Sequence, residues 1–170
     1  MEKYPVYWPQ FYRATILEWK PLLSQDKYKQ VIIESLQFLT FNKKITLYAF
    51  VIMNNHIHLT WQALPDFTPE MIQSGFMKFT ARKIKLDLVK HHPLILEKFK
   101  VNAKDREYQF WERDPLSFDL YTHNVFMQKL EYIHWNPVKA GLCNLPEEYY
   151  YSSAKFYHTG IDDFGMLTHC

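Results

Sequence analysis

Cysteine is scarce in this sequence: the 170 residues include only Cys143 and Cys170, and neither belongs to a CxxC pair. Two isolated cysteines cannot form the disulfide framework of a small secreted protein. Residues 1–10, MEKYPVYWPQ, also lack the basic start and apolar stretch of a secretory signal. We therefore expect a reducing, cytoplasmic location.

Long apolar runs are absent, although the chain as a whole is rich in apolar residues. No run approaches the roughly 18 residues that a membrane helix requires, yet 48% of the residues are hydrophobic and 18% are aromatic. This composition is typical of a folded chain rather than a disordered one. A length of 170 residues suits one domain with its own core. We predict a single domain over residues 1–170 and no membrane partner.

Neither sign of charge is in large excess, because 20 Lys and Arg residues balance 18 Asp and Glu residues and leave a net charge of +2. A total this small does not indicate a nucleic-acid-binding protein, since phosphate binding depends on clustered basic residues. One cluster is present: Lys78, Arg82 and Lys85 recur at helical spacing and would share a helix face. A solvated helix face and a phosphate contact both remain open as interpretations.

The apolar patterns predict an α+β fold. The predicted order is strand 10–19, helix 24–41, strands 45–53 and 56–62, helix 68–90, strand 108–115 and a helix from residue 123 that ends at Pro137. Asn54 and Asn55 suit a hairpin turn, residues 91–106 are expected to be a loop, and the aromatic segment from about residue 146 is expected to pack irregularly. This order is typical of a ferredoxin-like antiparallel sheet with helices mainly on one face.

Two histidines interrupt the apolar strand 56–62. Residues two apart on a strand point to the same face, so His56 and His58 converge, with side-chain origins about 6 to 7 Å apart. Two neutral imidazoles can hold one divalent cation if oxygen ligands complete its coordination. Two hydrogen-bonded histidines on a sheet account for the HxH pattern equally well, so the pattern alone leaves both roles open.

The predicted helix before Pro137 carries polar groups beside its apolar stripe. The stripe consists of Phe126, Leu130 and Ile133. Tyr132 and Asn136 are four residues apart and fall together on the flank of this stripe, near Lys129. A phenol and an amide at this position can approach the sheet without being buried in the core. Tyr132 could be a nucleophile or an ordinary surface tyrosine, and Asn136 a polar ligand or a helix stop.

Two segments resemble the single-tyrosine HUH transposases, a family named for a His-hydrophobic-His signature. MNNHIHLTWQ, residues 53–62, resembles that signature. FWERDPLSFDLYTHNVFMQKLEYIHWNPVKAGLCNLPEEYYYSS, residues 110–153, resembles the C-terminal block of the branch associated with repetitive extragenic palindromes. In that branch an aromatic FW strand, a Tyr-Ile-His-x-Asn-Pro-Val-Lys helix end, an Ala-Gly-Leu turn and a Pro-x-x-Tyr/Trp-x-x-Ser-Ser segment follow one another. The likeness spans about residues 11–156, and its second block is the specific part.

The resemblance implies a metal-dependent transposase that cleaves and rejoins single-stranded DNA near hairpins through a 5′-phosphotyrosine intermediate. His56 and His58 match the metal-binding pair, Tyr132 matches the nucleophile, and Asn136 matches the polar third ligand. Many members outside the branch have Gln at the last position. The implied cofactor is Mg²⁺ or Mn²⁺. The implied partners are hairpin-bearing single-stranded DNA and a second copy of the chain in a homodimer.

A DNA substrate would give the basic residues a role. Lys78, Arg82 and Lys85, with Lys129 near the site and Lys139 after it, are then candidate contacts to backbone phosphates. Three other functions stay open: an HUH endonuclease of another purpose, such as a domesticated one, a non-catalytic DNA-hairpin-binding protein, and a metal-dependent hydrolase of small molecules. The hydrolase is disfavoured because no carboxylate base lies near the histidines in the sequence.

Overall fold

A four-stranded antiparallel sheet organises the chain in a computed structural model that describes residues 6–170. Its strands are β1 (Gln10–Thr15), β2 (Ile45–Ile52), β3 (His56–Ala63) and β4 (Leu116–Asp119), in the order β2-β3-β1-β4. Every neighbouring pair is antiparallel. The predicted ferredoxin-like α+β class is confirmed. The single-domain prediction includes residues 1–5, which lie outside the described residues.

Five α-helices accompany the sheet within the described range. They are α1 (Asp26–Phe41), α2 (Pro69–His91), α3 (Pro93–Glu97), α4 (His123–Lys139) and α5 (Ala154–Thr159). α1 and α2 share the main core with one face of the sheet, and α4 packs its predicted apolar stripe against the opposite face. The two long helices on one side fit the prediction of helices mainly on one face. Within residues 6–170, no helix has the length and apolar character needed to cross a membrane.

The alternation of side chains along β3 decides which residues meet α4. Ile57, Leu59 and Trp61 lie in the main core beneath α1 and α2. Residues between them on a strand point to the other face, so His56 and His58 lie on the side that α4 covers. The predicted hairpin between β2 and β3 is present, and its turn is closed by the Met53 N–H, which donates to the His56 carbonyl at 2.8 Å.

The first strand is shorter than predicted. β1 ends at Thr15 instead of residue 19, because its ladder partner β3 begins at His56, the residue opposite Thr15. Beyond it the chain enters a 3₁₀ turn, Leu17–Trp19, in which Glu18 and Trp19 have φ values of 54° and 56°. These left-handed conformations are incompatible with a strand.

The predicted strand 108–115 was wrong. This segment forms only isolated bridges, from Tyr108 to Lys100 and from Trp111 to Ile16, and the fourth strand is the following segment, β4. The buried Trp111 indole N–H donates to Thr80 Oγ1 at 3.0 Å. Tertiary packing against α2 therefore determines the conformation here, and strand propensity does not.

The prediction that the last helix ends at Pro137 was also wrong, since this helix, α4, continues to Lys139. A proline in the last turn removes only the single helical hydrogen bond that its nitrogen would donate. The helix closes through the Leu142 N–H, which donates to the Pro137 carbonyl at 2.9 Å, with Gly141 at a φ of 75°. Asn136 therefore lies within the helix and is not its stop.

Two segments are more regular than expected. The predicted loop 91–106 contains α3, which Pro93 begins at a position that suits proline. The segment from residue 146 contains a 3₁₀ turn, Pro146–Glu148, and α5. Three main-chain hydrogen bonds join it to the outer strand β2: Ile52 N to Tyr151 O (2.9 Å), Ser153 N to Phe50 O (3.0 Å) and Thr168 N to Leu47 O (2.9 Å). The segment thus covers an otherwise unpaired sheet edge.

Candidate active site

The two histidines of the HxH pattern lie side by side under α4. Their ring centroids are 4.8 Å apart. His58 is 1% exposed, whereas His56 is half-buried near the sheet end. The His58 ring also lies 5.5 Å from the ring of Phe11 on β1. The pair thus forms one wall of a partly covered site between the sheet and α4.

α4 supplies the opposite wall with the two polar residues of its flank. The Tyr132 ring lies 5.1 Å from the His58 ring, and Asn136 Nδ2 lies 3.4 Å from His58 Nε2. Tyr132 remains 38% exposed, so its phenol is accessible from solvent. The structure therefore brings together all four residues that the sequence singled out from two distant segments.

The surroundings of the histidines keep both imidazoles neutral. Burial, together with the positive charges of His56, Arg13 and Lys129, lowers the pKa of His58 to about 3. Burial also lowers the pKa of His56, a shift that a hydrogen bond from the protonated ring to the Asn136 amide oxygen partly opposes and the charge of Arg13 strengthens. Neutral imidazole is the form that binds a metal ion.

Hydrogen bonds fix the orientation of the His56 ring. Asn55 Nδ2 donates to the Trp19 carbonyl at 3.4 Å, so Asn55 Oδ1 faces His56 Nδ1, at 2.7 Å. An amide oxygen can only accept, which places the ring proton on Nδ1 and leaves the lone pair of His56 Nε2 free. A partner that fixes the tautomer in this way is typical of histidine ligands.

The nitrogen and oxygen ligands at this site fit a divalent cation whose coordination shell is only partly supplied by the protein. His58 Nε2 faces the amide of Asn136, and a rotation of that amide exchanges its nitrogen for its oxygen. Two imidazole nitrogens and one amide oxygen leave coordination positions for water and substrate. Among residues 6–170 no group of three or more His, Cys, Asp or Glu side chains could hold a metal. Any cation site here must therefore include Asn136 or exogenous oxygens.

Two lysines of the candidate DNA-binding set lie beside Tyr132. Lys129 Nζ is 5.3 Å from the centre of the Tyr132 ring and also lies over the rings of Phe11, at 4.9 Å, and Phe118, at 5.4 Å. Lys139 Nζ lies 5.9 Å from the centre of the same ring. Such cation–π contacts hold an ammonium group without neutralising it. Both charges remain available to an anion at the site.

The other three basic candidates are not part of this site. Lys78, Arg82 and Lys85 are exposed along α2, which covers the opposite face of the sheet from His58. Lys85 Nζ lies 5.4 Å from the Tyr108 ring. The expected common helix face is present, but any ligand that touches it is separated from Tyr132 by the sheet.

The sequence pattern does not single out Arg13, which the fold places next to His58 in the sheet. Arg13 on β1 is the direct partner of His58 on β3, and it is half-buried. Arg13 lies beside His58 because of the register between β1 and β3, two strands that are distant in sequence. Only knowledge of the β1–β3 pairing could have revealed this residue.

His134 anchors α4 on the other side of the helix. Its Nε2 shares a hydrogen bond of 2.7 Å with Ser153 Oγ, and Ser153 Oγ accepts from the Phe50 N–H at 3.0 Å. Burial lowers the pKa of His134 to about 4. This buried chain joins α4, the C-terminal segment and β2, and so fixes the height of Tyr132 above the sheet.

Two solved structures with a similar fold are transposases. No protein-family model and no curated protein matches the sequence. A REP-associated tyrosine transposase bound to a REP hairpin has a TM-score of 0.68 at 13% identity, over 99% of this chain and 90% of that chain. A candidate transposase of Deinococcus radiodurans has a TM-score of 0.51 at 15% identity, over 78% of this chain and 95% of that chain. This chain therefore has the fold of these transposases.

Proposed function

We propose that this protein is a metal-dependent, single-tyrosine HUH transposase that cleaves and rejoins single-stranded DNA near hairpins. The observation that carries the proposal is the meeting of Tyr132 with the histidine pair, at a ring distance of 5.1 Å from His58. A nucleophile, two neutral metal ligands and an amide then share one site. The fold similarity to a transposase bound to a DNA hairpin supports the same function.

The proposed cofactor is Mg²⁺ or Mn²⁺, with His56, His58 and Asn136 as its protein ligands. When bound, such a cation polarises the scissile phosphate and stabilises the negative charge of the transition state. The amide oxygen suits these cations better than a thiolate would. His58 is almost fully buried, so its ring cannot turn freely. It would therefore present its ligand nitrogen in a fixed direction.

Tyr132 performs the proposed cleavage. Its phenolic oxygen loses a proton to solvent and attacks phosphorus, and the bond between phosphorus and the 3′ oxygen breaks. The departing oxygen takes up a proton and becomes the 3′-hydroxyl of one fragment, while the other fragment stays joined to Tyr132 through its 5′ phosphate as a phosphotyrosine. A second 3′-hydroxyl can attack this phosphotyrosine, release the tyrosine and restore a phosphodiester without ATP.

The basic residues divide into two proposed groups of DNA contacts. Lys129 and Lys139, beside the Tyr132 ring, would bind phosphates near the scissile bond. Lys78, Arg82 and Lys85, on the far face of the sheet, would bind a distal part of a folded hairpin. These contacts position the DNA and do not read its sequence.

A cytoplasmic homodimer is the proposed assembly, as the resemblance implies. Dimers of this kind can place the tyrosine helix in the site of the same subunit or of the other one. Here Phe126, Leu130 and Ile133 attach α4 to its own sheet, and Tyr132 meets His58 of the same chain. This packing favours a site completed within one chain.

A covalent-capture experiment tests the function. The protein is incubated with Mn²⁺ and a pool of labelled single-stranded DNAs, in which a stable hairpin is flanked by randomised unpaired nucleotides. A denaturing gel then detects a protein–DNA adduct, and sequencing of the captured DNA identifies the substrate. Wild type should form the adduct and Tyr132→Phe should not. Tyr150→Phe, which changes an exposed tyrosine elsewhere, should behave like wild type.

The outcomes of this experiment separate the rival functions. An adduct that persists in Tyr132→Phe contradicts the assignment of the nucleophile. Hairpin binding without any adduct in wild type would favour a non-catalytic DNA-hairpin-binding protein. Cleavage of the pool without rejoining would favour a domesticated endonuclease.

A further inference from the structure

We propose that Arg13 is a further catalytic residue, whose guanidinium binds the non-bridging oxygens of the scissile phosphate during attack by Tyr132. The inference rests on the proposed function and adds to it the group that recognises the reacting phosphate. Arg13 does not belong to the HxH pair or to the tyrosine helix.

The strand register places Arg13 against the metal-binding pair. β1 is a central strand, and Arg13 stands directly opposite His58 on β3 and Leu116 on β4. Residues directly opposite each other in an antiparallel pair project to the same face, with Cβ atoms about 4.5 to 5.5 Å apart. The Arg13 side chain therefore projects to the face on which His58 meets Tyr132, and the neighbouring position on that face of β3 is His56.

In the part of the chain that the structure describes, Arg13 has no partner that would explain it as a structural residue. Within residues 6–170 it forms no ion pair with a carboxylate and no side-chain hydrogen bond. A half-buried guanidinium carries five N–H donors, which structural arginines usually satisfy with carboxylate or carbonyl oxygens. The five donors of Arg13 are therefore available to an oxygen-rich ligand.

The remaining charges of the site specify an anionic ligand. Lys129 adds a second positive charge, which has no carboxylate partner among the described residues and is held among the rings of Phe11, Phe118 and Tyr132. Two cations beside neutral histidines repel a bare metal ion, but they favour a metal ion that arrives together with a phosphodiester. The site is therefore complementary to metal and phosphate as a pair.

Arginine suits the proposed role better than lysine would. Its planar fork can donate two parallel hydrogen bonds to two phosphate oxygens, whereas an ammonium acts as a point charge. Charge on these oxygens changes as Tyr132 attacks, so donors already in place stabilise the transition state. Arg13 stays protonated throughout, and the bonds that form and break are those of the cleavage step above.

Single-turnover kinetics of adduct formation test the role of Arg13 with the captured hairpin DNA and Mn²⁺. Arg13→Gln should slow adduct formation by about 10²- to 10³-fold, the usual effect of losing one transition-state donor. Arg13→Lys should recover part of the rate, because it restores the charge but not the fork. Arg106→Gln is the matched control, since Arg106 is exposed and paired with Asp105, and it should react at the wild-type rate.

A substrate with a methylphosphonate at the scissile position gives the readout that a structural role would not affect. This group replaces one charged oxygen by a methyl group, so most of the advantage of wild type over Arg13→Gln should disappear. Without metal, Arg13→Gln should unfold at the same temperature as metal-free wild type. It should also bind Mn²⁺ at least as tightly as wild type, because a repelling charge is gone. Loss of folding or of Mn²⁺ binding in both Arg13 variants would make Arg13 a structural residue and overturn the proposal.

If the proposed role of Arg13 is wrong, the experiment gives a different result than if the proposed function is wrong. If wild type forms no adduct, the function is wrong, and hairpin binding then tests the phosphate contact alone. In that case Arg13→Gln should reduce the slope of log affinity against log salt by about 0.7, the value for one phosphate contact on a single strand. An unchanged slope, a wild-type rate of adduct formation, or an equal loss on phosphate and methylphosphonate overturns the proposal.

Discussion

Asn136 Nδ2 lies 3.4 Å from His58 Nε2, although the two residues are 78 positions apart in the chain. The contact exists because α4 crosses the sheet face that carries the histidines and packs there through the stripe of Phe126, Leu130 and Ile133. Asn136 and Tyr132 occupy the flank of that stripe, one helical turn apart. The candidate chemistry is therefore located at a helix–sheet interface and depends on how α4 docks.

Removal of one imidazole should abolish stabilisation by a metal ion. Mn²⁺ at about 100 times its dissociation constant should stabilise wild type by about 2.7 kcal/mol, and His58→Ala should show little of this gain, because one of two nitrogen ligands is lost. Thermal unfolding with and without Mn²⁺ measures the difference. His123→Ala, at the exposed start of α4, is the control and should keep the full shift. An equal shift in His58→Ala would contradict the metal site.

Replacement of Asn136 should change metal affinity in a direction set by the new side chain. Asn136→Ala removes the amide oxygen and should weaken Mn²⁺ binding about tenfold or more. Asn136→Asp supplies an anionic oxygen at the same place and should bind Mn²⁺ more tightly than wild type, since carboxylates are preferred ligands of this cation. Titration followed by electron paramagnetic resonance measures free Mn²⁺ directly. Wild-type affinity in Asn136→Ala would show that the amide is not a ligand.

The predictable features of this protein are those with a local sequence signal. The β2–β3 hairpin follows from two apolar runs around Asn54 and Asn55, and the cap of α2 follows from Thr68, which accepts the Met71 N–H at 3.2 Å. The spacing of Tyr132 and Asn136 on one helix flank is local as well. Each of these features depends on residues that are close in the chain, where periodicity is informative.

The features that could not be predicted depend on distant pairing. β4 has four residues and a weak pattern, and it is recognisable only through its partner β1; Gln10 and Asp119, joined by a side-chain hydrogen bond of 2.9 Å, are 109 positions apart. The nearness of Arg13 to His58 has the same origin, because it follows from strand order and register. Sequence periodicity assigns a residue to a face of its strand but does not identify the neighbouring strand.

The buried His134 should make the metal-free protein sensitive to acid. Its pKa is lowered to about 4 in the folded state, whereas the unfolded chain has the ordinary value of about 6.5. Its contribution to stability is therefore complete above about pH 6.5 and is lost as the pH falls towards 4, because the unfolded state takes up the proton first. About 2 kcal/mol should be lost by about pH 5.

Urea unfolding at several pH values in the presence of a chelator measures this loss. His134→Gln keeps a side chain that can donate to Ser153 Oγ but does not titrate in this range, so its stability should depend less on pH than that of wild type. The exposed His158 gives the control variant, His158→Gln, which should retain the wild-type pH dependence. Identical slopes in all three proteins would assign the acid sensitivity to other groups.

The basic residues of α2 should contribute to DNA affinity without contributing to the chemical step. Combined replacement of Lys78, Arg82 and Lys85 by Gln should weaken hairpin binding and reduce its salt dependence, because phosphate contacts and their released counterions are lost. The rate of adduct formation at saturating DNA should stay unchanged, since the sheet separates α2 from Tyr132. Fluorescence anisotropy at several salt concentrations, in a Tyr132→Phe background, measures binding.

The control is a triple variant with the same charge change at exposed lysines outside α2, namely Lys43, Lys98 and Lys100. If both triples weaken binding equally, the effect reflects net charge and the α2 surface is not a DNA contact.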